Sequence, residues 1–81
     1  MTKTEICDRI QGIVDRLVRQ KGQPPVRLDE GTKFLGGSIP MDSLDLAVLV
    51  TELQTITGID PFQAGFRSFQ TVGELASLYA A

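Results

Sequence analysis

From residue 4 to residue 20 the apolar side chains Ile6, Ile10, Ile13, Val14, Leu17 and Val18 recur at spacings of three and four, which lays them on one face of an amphipathic helix. Lys21, Gly22, Pro24 and Pro25 end it, because Gly suits a helix C-terminus and Pro cannot continue the hydrogen-bond ladder. A second helix is predicted over residues 43–57 and stops at Gly58. Rotating its residues by 100° per step gathers Leu46, Leu49, Val50, Leu53, Ile56 and Thr57 into one arc, the expected core face. The opposite arc holds Leu44, Val48, Thr51 and Thr55, flanked by Asp45 and Glu52, so Leu44 and Val48 are expected to point away from the core. Asp60-Pro61 suits a cap followed by Pro, which predicts a short helical turn around residues 62–66. Thr71-Val72-Gly73-Glu74 fits a capping box, and Val72, Leu75, Ala76 and Tyr79 follow at helical spacing.

No stretch alternates strictly enough to be a strand. The pattern therefore predicts an all-α fold, a small four-helix bundle with three principal helices, a short third helix and a long loop between helices 1 and 2. That loop, residues 21–42, is long for a compact domain, and loops of such length are usually functional or disordered. Val26, Leu28, Phe34, Leu35 and Ile39 give it apolar anchors, so it is expected to be ordered and packed across the helices. Phe62, Phe66 and Phe69 read as a roof over the core. Gly12 and Gly73 read either as tolerated helical glycines or as points that ease opening of the bundle.

Composition narrows the function. Eighty-one residues fit one domain, 1–81. A chain of this size buries roughly 60% of its unfolded surface, which leaves little wall for a roomy catalytic cleft. It has no His, which removes the commonest general base near neutral pH and every imidazole-based metal or nucleophile site. The single Cys7 makes no internal disulfide, and beside the apolar stripe it reads as a small buried or half-buried filler with only Arg9 nearby to favour a thiolate. A sequence pI of about 4.9 argues against nucleic acid as a partner. No apolar run approaches the ~20 residues of a membrane span, and the N-terminus lacks a signal-peptide core, so a soluble, cytoplasmic monomer is expected.

Charge is unevenly divided. Residues 1–33 carry seven basic and five acidic groups, net +2. Residues 34–81 carry Arg67 alone against Asp42, Asp45, Glu52, Asp60 and Glu74, net −4. If the second half holds the working surface, it should prefer a basic partner patch.

Candidate chemistry converges on Gly36-Gly37-Ser38-Ile39-Pro40-Met41-Asp42-Ser43-Leu44-Asp45, which sets one serine where the long loop meets a helix N-terminus. Asp42 or Ser43 can be the N-cap, and taken alone Asp-Ser before a helix reads as a cap. The free N–H groups and dipole of that helix end favour an anion, so a phosphate ester on Ser43 would be stabilised, while Asp42 and Asp45 oppose it. As a nucleophile in its own right Ser43 has no His and no obvious Lys base. A serine acted upon by another enzyme needs only exposure and a recognisable surround.

Asp42-Ser43-Leu44-Asp45, followed by the apolar helix through Leu53, resembles the attachment site of acyl and peptidyl carrier proteins. The resemblance covers nearly the whole chain, including the last helix that begins through Thr71-Val72, and Phe34-Leu35-Gly36-Gly37 is similar to the approach to the serine in peptidyl carriers. Here Ser38 to Met41 lie between the Gly pair and Asp42, a spacing more like free-standing acyl carriers. The resemblance implies that Ser43 receives 4′-phosphopantetheine from coenzyme A through a phosphopantetheinyl transferase, with Asp42 as its acidic neighbour and Leu44 as a contact for partner enzymes. It implies that Asp45, Val48 and Glu52 share the partner surface, that an acyl- or aminoacyl-activating ligase or adenylation enzyme loads the arm, and that a downstream synthase, transferase or thioesterase unloads it. The chain itself would catalyse nothing and hold no metal. Val48 stands where fatty-acid-synthesis carriers commonly have an acidic residue, and the third element carries Asp60 and Arg67 in place of an acidic run. These departures point to a dedicated pathway, secondary-metabolite or otherwise, that uses a more apolar contact. The competing reading is a small helical adaptor in which Leu44 and Val48 bind a partner helix and Ser43 is only a cap.

Overall fold

The computed structural model describes residues 1–35, 39–63, 65 and 68–80. Three helices are present among them: α1 (Lys3–Gln20), α2 (Ser43–Thr57) and α3 (Val72–Tyr79). Each begins in the same way, with a side-chain oxygen at the N-cap accepting the third residue's N–H while that residue's carboxylate returns the bond: Thr2 with Glu5, Asp42 with Asp45, and Thr71 with Glu74. α1 ends at Lys21 and Gly22, whose φ of +74° lets the chain reverse, and α2 ends at Gly58 in the left-handed region.

α1 is the central element and packs against both α2 and α3. Its stripe of Ile6, Ile10, Ile13, Val14, Leu17 and Val18 is buried as the periodicity predicts, together with Leu49 and Leu53 from α2 and Val72, Leu75, Ala76 and Tyr79 from α3. Burying one such Leu or Ile contributes about 1.5–3 kcal/mol, so this shared core sets the bundle. Cys7 is half-buried against it, and burial pushes its thiol up, in keeping with a filler.

The long loop is tied down at both flanks. Gln11 of α1 donates to the Val26 carbonyl and accepts from the Leu28 N–H, each at 2.9 Å, so a single side chain pins two backbone groups. Further on, Val72 N–H donates to Thr32 O and Gly73 N–H to Glu30 O at 2.9 Å, and Phe34 N–H donates to Gln70 O at 3.0 Å. This stitch includes one antiparallel bridge, Lys33 with Thr71, and no strand is present among the described residues. Of the expected anchors, Phe34 and Ile39 are buried and Val26 and Leu28 half-buried, whereas Leu35 remains 46% exposed; Met41 is buried as well.

The expected short helix around residues 62–66 is, where described, a turn. Asp60 shapes it, its carboxylate accepting from Phe62 N–H (3.0 Å) and Gln54 Nε2 (3.2 Å) and its carbonyl from Gln63 N–H (3.3 Å). Ala64, Phe66 and Arg67 lie outside the described residues. Phe69, half-buried, meets Phe34 edge-on at 6.0 Å and Phe62 at 6.2 Å, so two of the three roof phenylalanines sit where they were expected.

Candidate functional site

The loop delivers Asp42 to the start of α2 with extended backbone, φ −117°. Its Oδ1 accepts the Asp45 N–H at 2.9 Å, and Asp45 Oδ2 accepts the Asp42 N–H at 3.1 Å. Asp42 is therefore the cap, and Ser43 becomes the first helical residue. Its side chain is exposed, and its hydroxyl makes no hydrogen bond with the described residues. Leu44 follows, 73% exposed, as its place on the wheel predicts.

Two cations from α1 reach this helix, and neither is visible in the local sequence pattern. Lys21, at the C-cap of α1, forms an ion pair with Asp45 and donates to the Pro40 carbonyl at 2.8 Å. It is the largest influence holding the Asp45 carboxyl below its ordinary range. Arg16 grips Glu52 with both guanidinium nitrogens, one of them at 3.0 Å from Oε1. The residue numbers run in opposite directions along the two helices, so α1 and α2 are antiparallel, joined by one ion pair near each end of their contact.

This edge corrects two wheel assignments. Val48 is half-buried and packs on the core, where it was expected to point outward with Leu44. It sits between Asp45 and Glu52 on the helix surface, on the side that the ion pairs close against α1. Ile56, assigned to the core face, is 38% exposed in a shallow groove lined by Gly12, Ile13, Arg16 and Glu52, because Gly12 supplies no side chain to cover it. A wheel divides a helix in half, while the neighbouring helix covers a narrower, offset stripe. Thr51 and Thr55 are exposed as expected.

On its other side the start of α2 opens onto a groove of about 440 Å³. Ser43 is the polar residue in its described lining, beside Leu35, Leu46, Ala47, Val50, Phe62 and Phe69. No local pattern names these residues, since three segments converge here. The exposure of Leu35 is explained by it.

The site thus brings Asp42, Ser43, Leu44 and Asp45 together at one helix end, with Val48 and Glu52 one and two turns further along the edge facing α1. Among the described residues no group of three His, Cys, Asp or Glu side chains could hold a metal ion, and no helix is long and apolar enough to cross a membrane.

No protein-family model and no curated protein matches the sequence. A solved structure does: the solution structure of MacpD, an acyl carrier protein from Pseudomonas fluorescens involved in mupirocin biosynthesis, is similar with a TM-score of 0.80 and 29% identity over 95% of this chain and 69% of that one. The chain thus has the fold and helix order of a solved acyl carrier protein over nearly its full length.

Proposed function

We propose that the chain is a free-standing carrier whose Ser43 is the attachment point for 4′-phosphopantetheine. The observation that carries this reading is the division of labour at the start of α2. Asp42 takes the cap, and Ser43, exposed and with its hydroxyl unengaged by the described residues, opens onto an apolar groove. The competing adaptor reading gives Ser43 no role beyond a cap, and the cap of α2 is Asp42.

The residues present suit the group. The first-turn N–H groups of α2 and its dipole favour a phosphodiester at Ser43, and the Lys21 ammonium offsets the Asp45 carboxylate close by. Once attached, the arm supplies the thiol on which an acyl or aminoacyl group is held as a thioester. The chain's own residues orient and shelter. Leu35, Leu46, Ala47, Val50, Phe62 and Phe69 provide an apolar wall against which an arm or its cargo excludes water, and Leu44 provides the exposed contact for the enzymes that load and unload it. Tethering replaces dilute encounter with an intramolecular one and so raises effective concentration, while bond chemistry stays with the partners. Those partners are a phosphopantetheinyl transferase, an activating ligase or adenylation enzyme, and a downstream synthase, transferase or thioesterase. A specialised pathway is supported by the solved neighbour's role in mupirocin biosynthesis.

Intact-mass analysis of the apo chain after incubation with coenzyme A, Mg²⁺ and a broad-range phosphopantetheinyl transferase tests the proposal. The expected outcome is the mass gain of one phosphopantetheine, mapped to Ser43 and absent in Ser43→Ala. No gain, with a control carrier modified in parallel, overturns it.

A further inference from the structure

Five carboxylates against one guanidinium make residues 34–81 an acidic half in sequence, yet the fold engages every one of those carboxylates. Asp42 and Asp45 cap α2, Glu74 closes the box of α3, and Asp60 shapes its turn. Asp45 and Glu52 meet cations as well. Lys21 and Arg16 cross from the basic half to pair with them, and the two carboxylates are the less exposed partners, with side-chain exposures of 14% and 31% against 34% for Lys21 and 48% for Arg16. Along α2 three carboxylates then stand beside two cations, leaving one net negative charge. The exposed residues Leu44, Ala47, Thr51 and Thr55 of the helix itself are uncharged, and the net charge that remains is that of the exposed cap, Asp42.

We propose that Arg16 and Lys21 are specificity-determining residues: by pairing with Glu52 and Asp45 they mask the acidic edge of α2 and select partners that dock beside Ser43 through an apolar, near-neutral face centred on Leu44. A partner with a basic patch would meet two cations at the rim before reaching the carboxylates behind them, and like charges at an interface discriminate against the wrong partner. This inference rests on the carrier reading for its biological meaning, and its physical content, the mask, is tested independently of the arm.

The probes are two amphipathic helical peptides of the same Leu pattern, one with Lys on its polar face and one with Gln. Their affinities for the full chain are read by NMR titration at about 0.05 M and about 0.5 M salt, a range over which surface charges pass from partly to strongly screened. The variants are Lys21→Gln, which can still donate to the Pro40 carbonyl, Arg16→Gln and the double substitution, each checked for retained helicity by circular dichroism. The wild-type chain is expected to bind the Lys peptide no better than the Gln peptide, with little salt dependence. Each substitution is expected to tighten the Lys peptide about threefold at low salt, the effect of one additional unmasked charge about 7 Å away in water, and the advantage should vanish at high salt. Variants with wild-type affinity and salt slope overturn the mask, as does a wild-type chain that already prefers the Lys peptide steeply at low salt. The transferase assay separates the two claims: a chain that takes no arm overturns the carrier reading while the peptide titration still decides the mask, and a chain that takes the arm but shows no mask overturns this inference alone.

Discussion

Replacing Gly12 and Gly73 by Ala, one at a time, should move stability in opposite directions although both lie in helices. At Gly12 an added Cβ meets nothing within 4 Å, and the backbone is ordinary α-helix. Ala there gains the difference in helix propensity, about 0.8–1 kcal/mol, and also fills part of the groove beside Ile56. At Gly73 the same atom would lie 2.9 Å from Glu30 Cβ, 3.0 Å from the Glu30 carbonyl oxygen and 3.1 Å from Glu30 Oε1. The carboxylate can swing aside, but the other two atoms belong to the loop itself, and the Glu30 carbonyl is held by the Gly73 N–H at 2.9 Å. Relief therefore requires the loop to back away and lengthen that bond. Overpacking of this kind costs about 1–3 kcal/mol, which outweighs a propensity gain of at most about 1 kcal/mol in the first turn of α3.

The expected outcome is Gly12→Ala stabilised by about 0.5–1 kcal/mol and Gly73→Ala destabilised by about 1–2 kcal/mol. For a chain of this size each kcal/mol moves Tm by about 4–8 °C, so the two variants should separate by more than the error of a thermal melt. Urea denaturation with unchanged slope would show that the effect lies in native stability. If Gly73→Ala is stabilised like Gly12→Ala, the loop is not seated on α3 and the stitch through Glu30, Thr32 and Phe34 is wrong. Gly73 is thus a point of close approach between α3 and the loop.

Ser43→Ala should abolish arm attachment while changing stability by under about 0.5 kcal/mol, whereas Asp42→Ala should cost about 0.5–2 kcal/mol in chemical denaturation because the cap is Asp42. The lone tyrosine, Tyr79, is fully buried and its phenol is pushed up to about 12, chiefly by burial, so absorbance titration should show ionisation near 12 in the folded chain. Since an unfolded tyrosine ionises near about 10, stability linked to Tyr79 is complete below that pH and is lost as pH rises from there through about 12; a native phenol titrating near 10 would place Tyr79 at the surface. Leu44→Gln should leave the melt within about 0.5 kcal/mol, as befits a side chain 73% exposed, yet slow transferase modification of Ser43; an unchanged rate would remove Leu44 from the partner surface.

Local features were legible where one segment carries its own physics. The stripe of α1 and the capping box at Thr71 follow from spacing alone, the cap of α2 was narrowed to Asp42 or Ser43, and the box at Thr2 and Glu5, which starts α1 at Lys3, was readable by the same signature. Features set by contact between distant segments were not. Lys21 reaches Asp45 across 24 residues and Arg16 reaches Glu52 across 36, and no periodicity encodes either meeting. Val48 and Ile56 exchanged their expected exposures for the same reason, because the line along which α1 crosses α2 is decided by both helices. The groove beside Ser43 needs Leu35 from the first loop and Phe62 and Phe69 from the α2–α3 connection beside α2 itself, so its apolar character was present in the sequence only as scattered residues.

The division of charge illustrates how far a sequence total can mislead about a surface. Net −4 in one half and +2 in the other describes a dipole only if the halves stay apart, and here the antiparallel contact of α1 with α2 folds one onto the other. Each pair is partly exposed, where such bridges add little stability, so their consequence lies in what a partner meets. With Asp42 and Glu74 held in caps and Asp45 and Glu52 behind cations, the chain presents Ser43 between an apolar groove on one side and an electrically quiet edge on the other. For a carrier that must be admitted by some enzymes and refused by others, quietness is itself discriminating: recognition then depends on the fit around Leu44, and a partner selected by long-range attraction to an acidic helix meets only one net negative charge here.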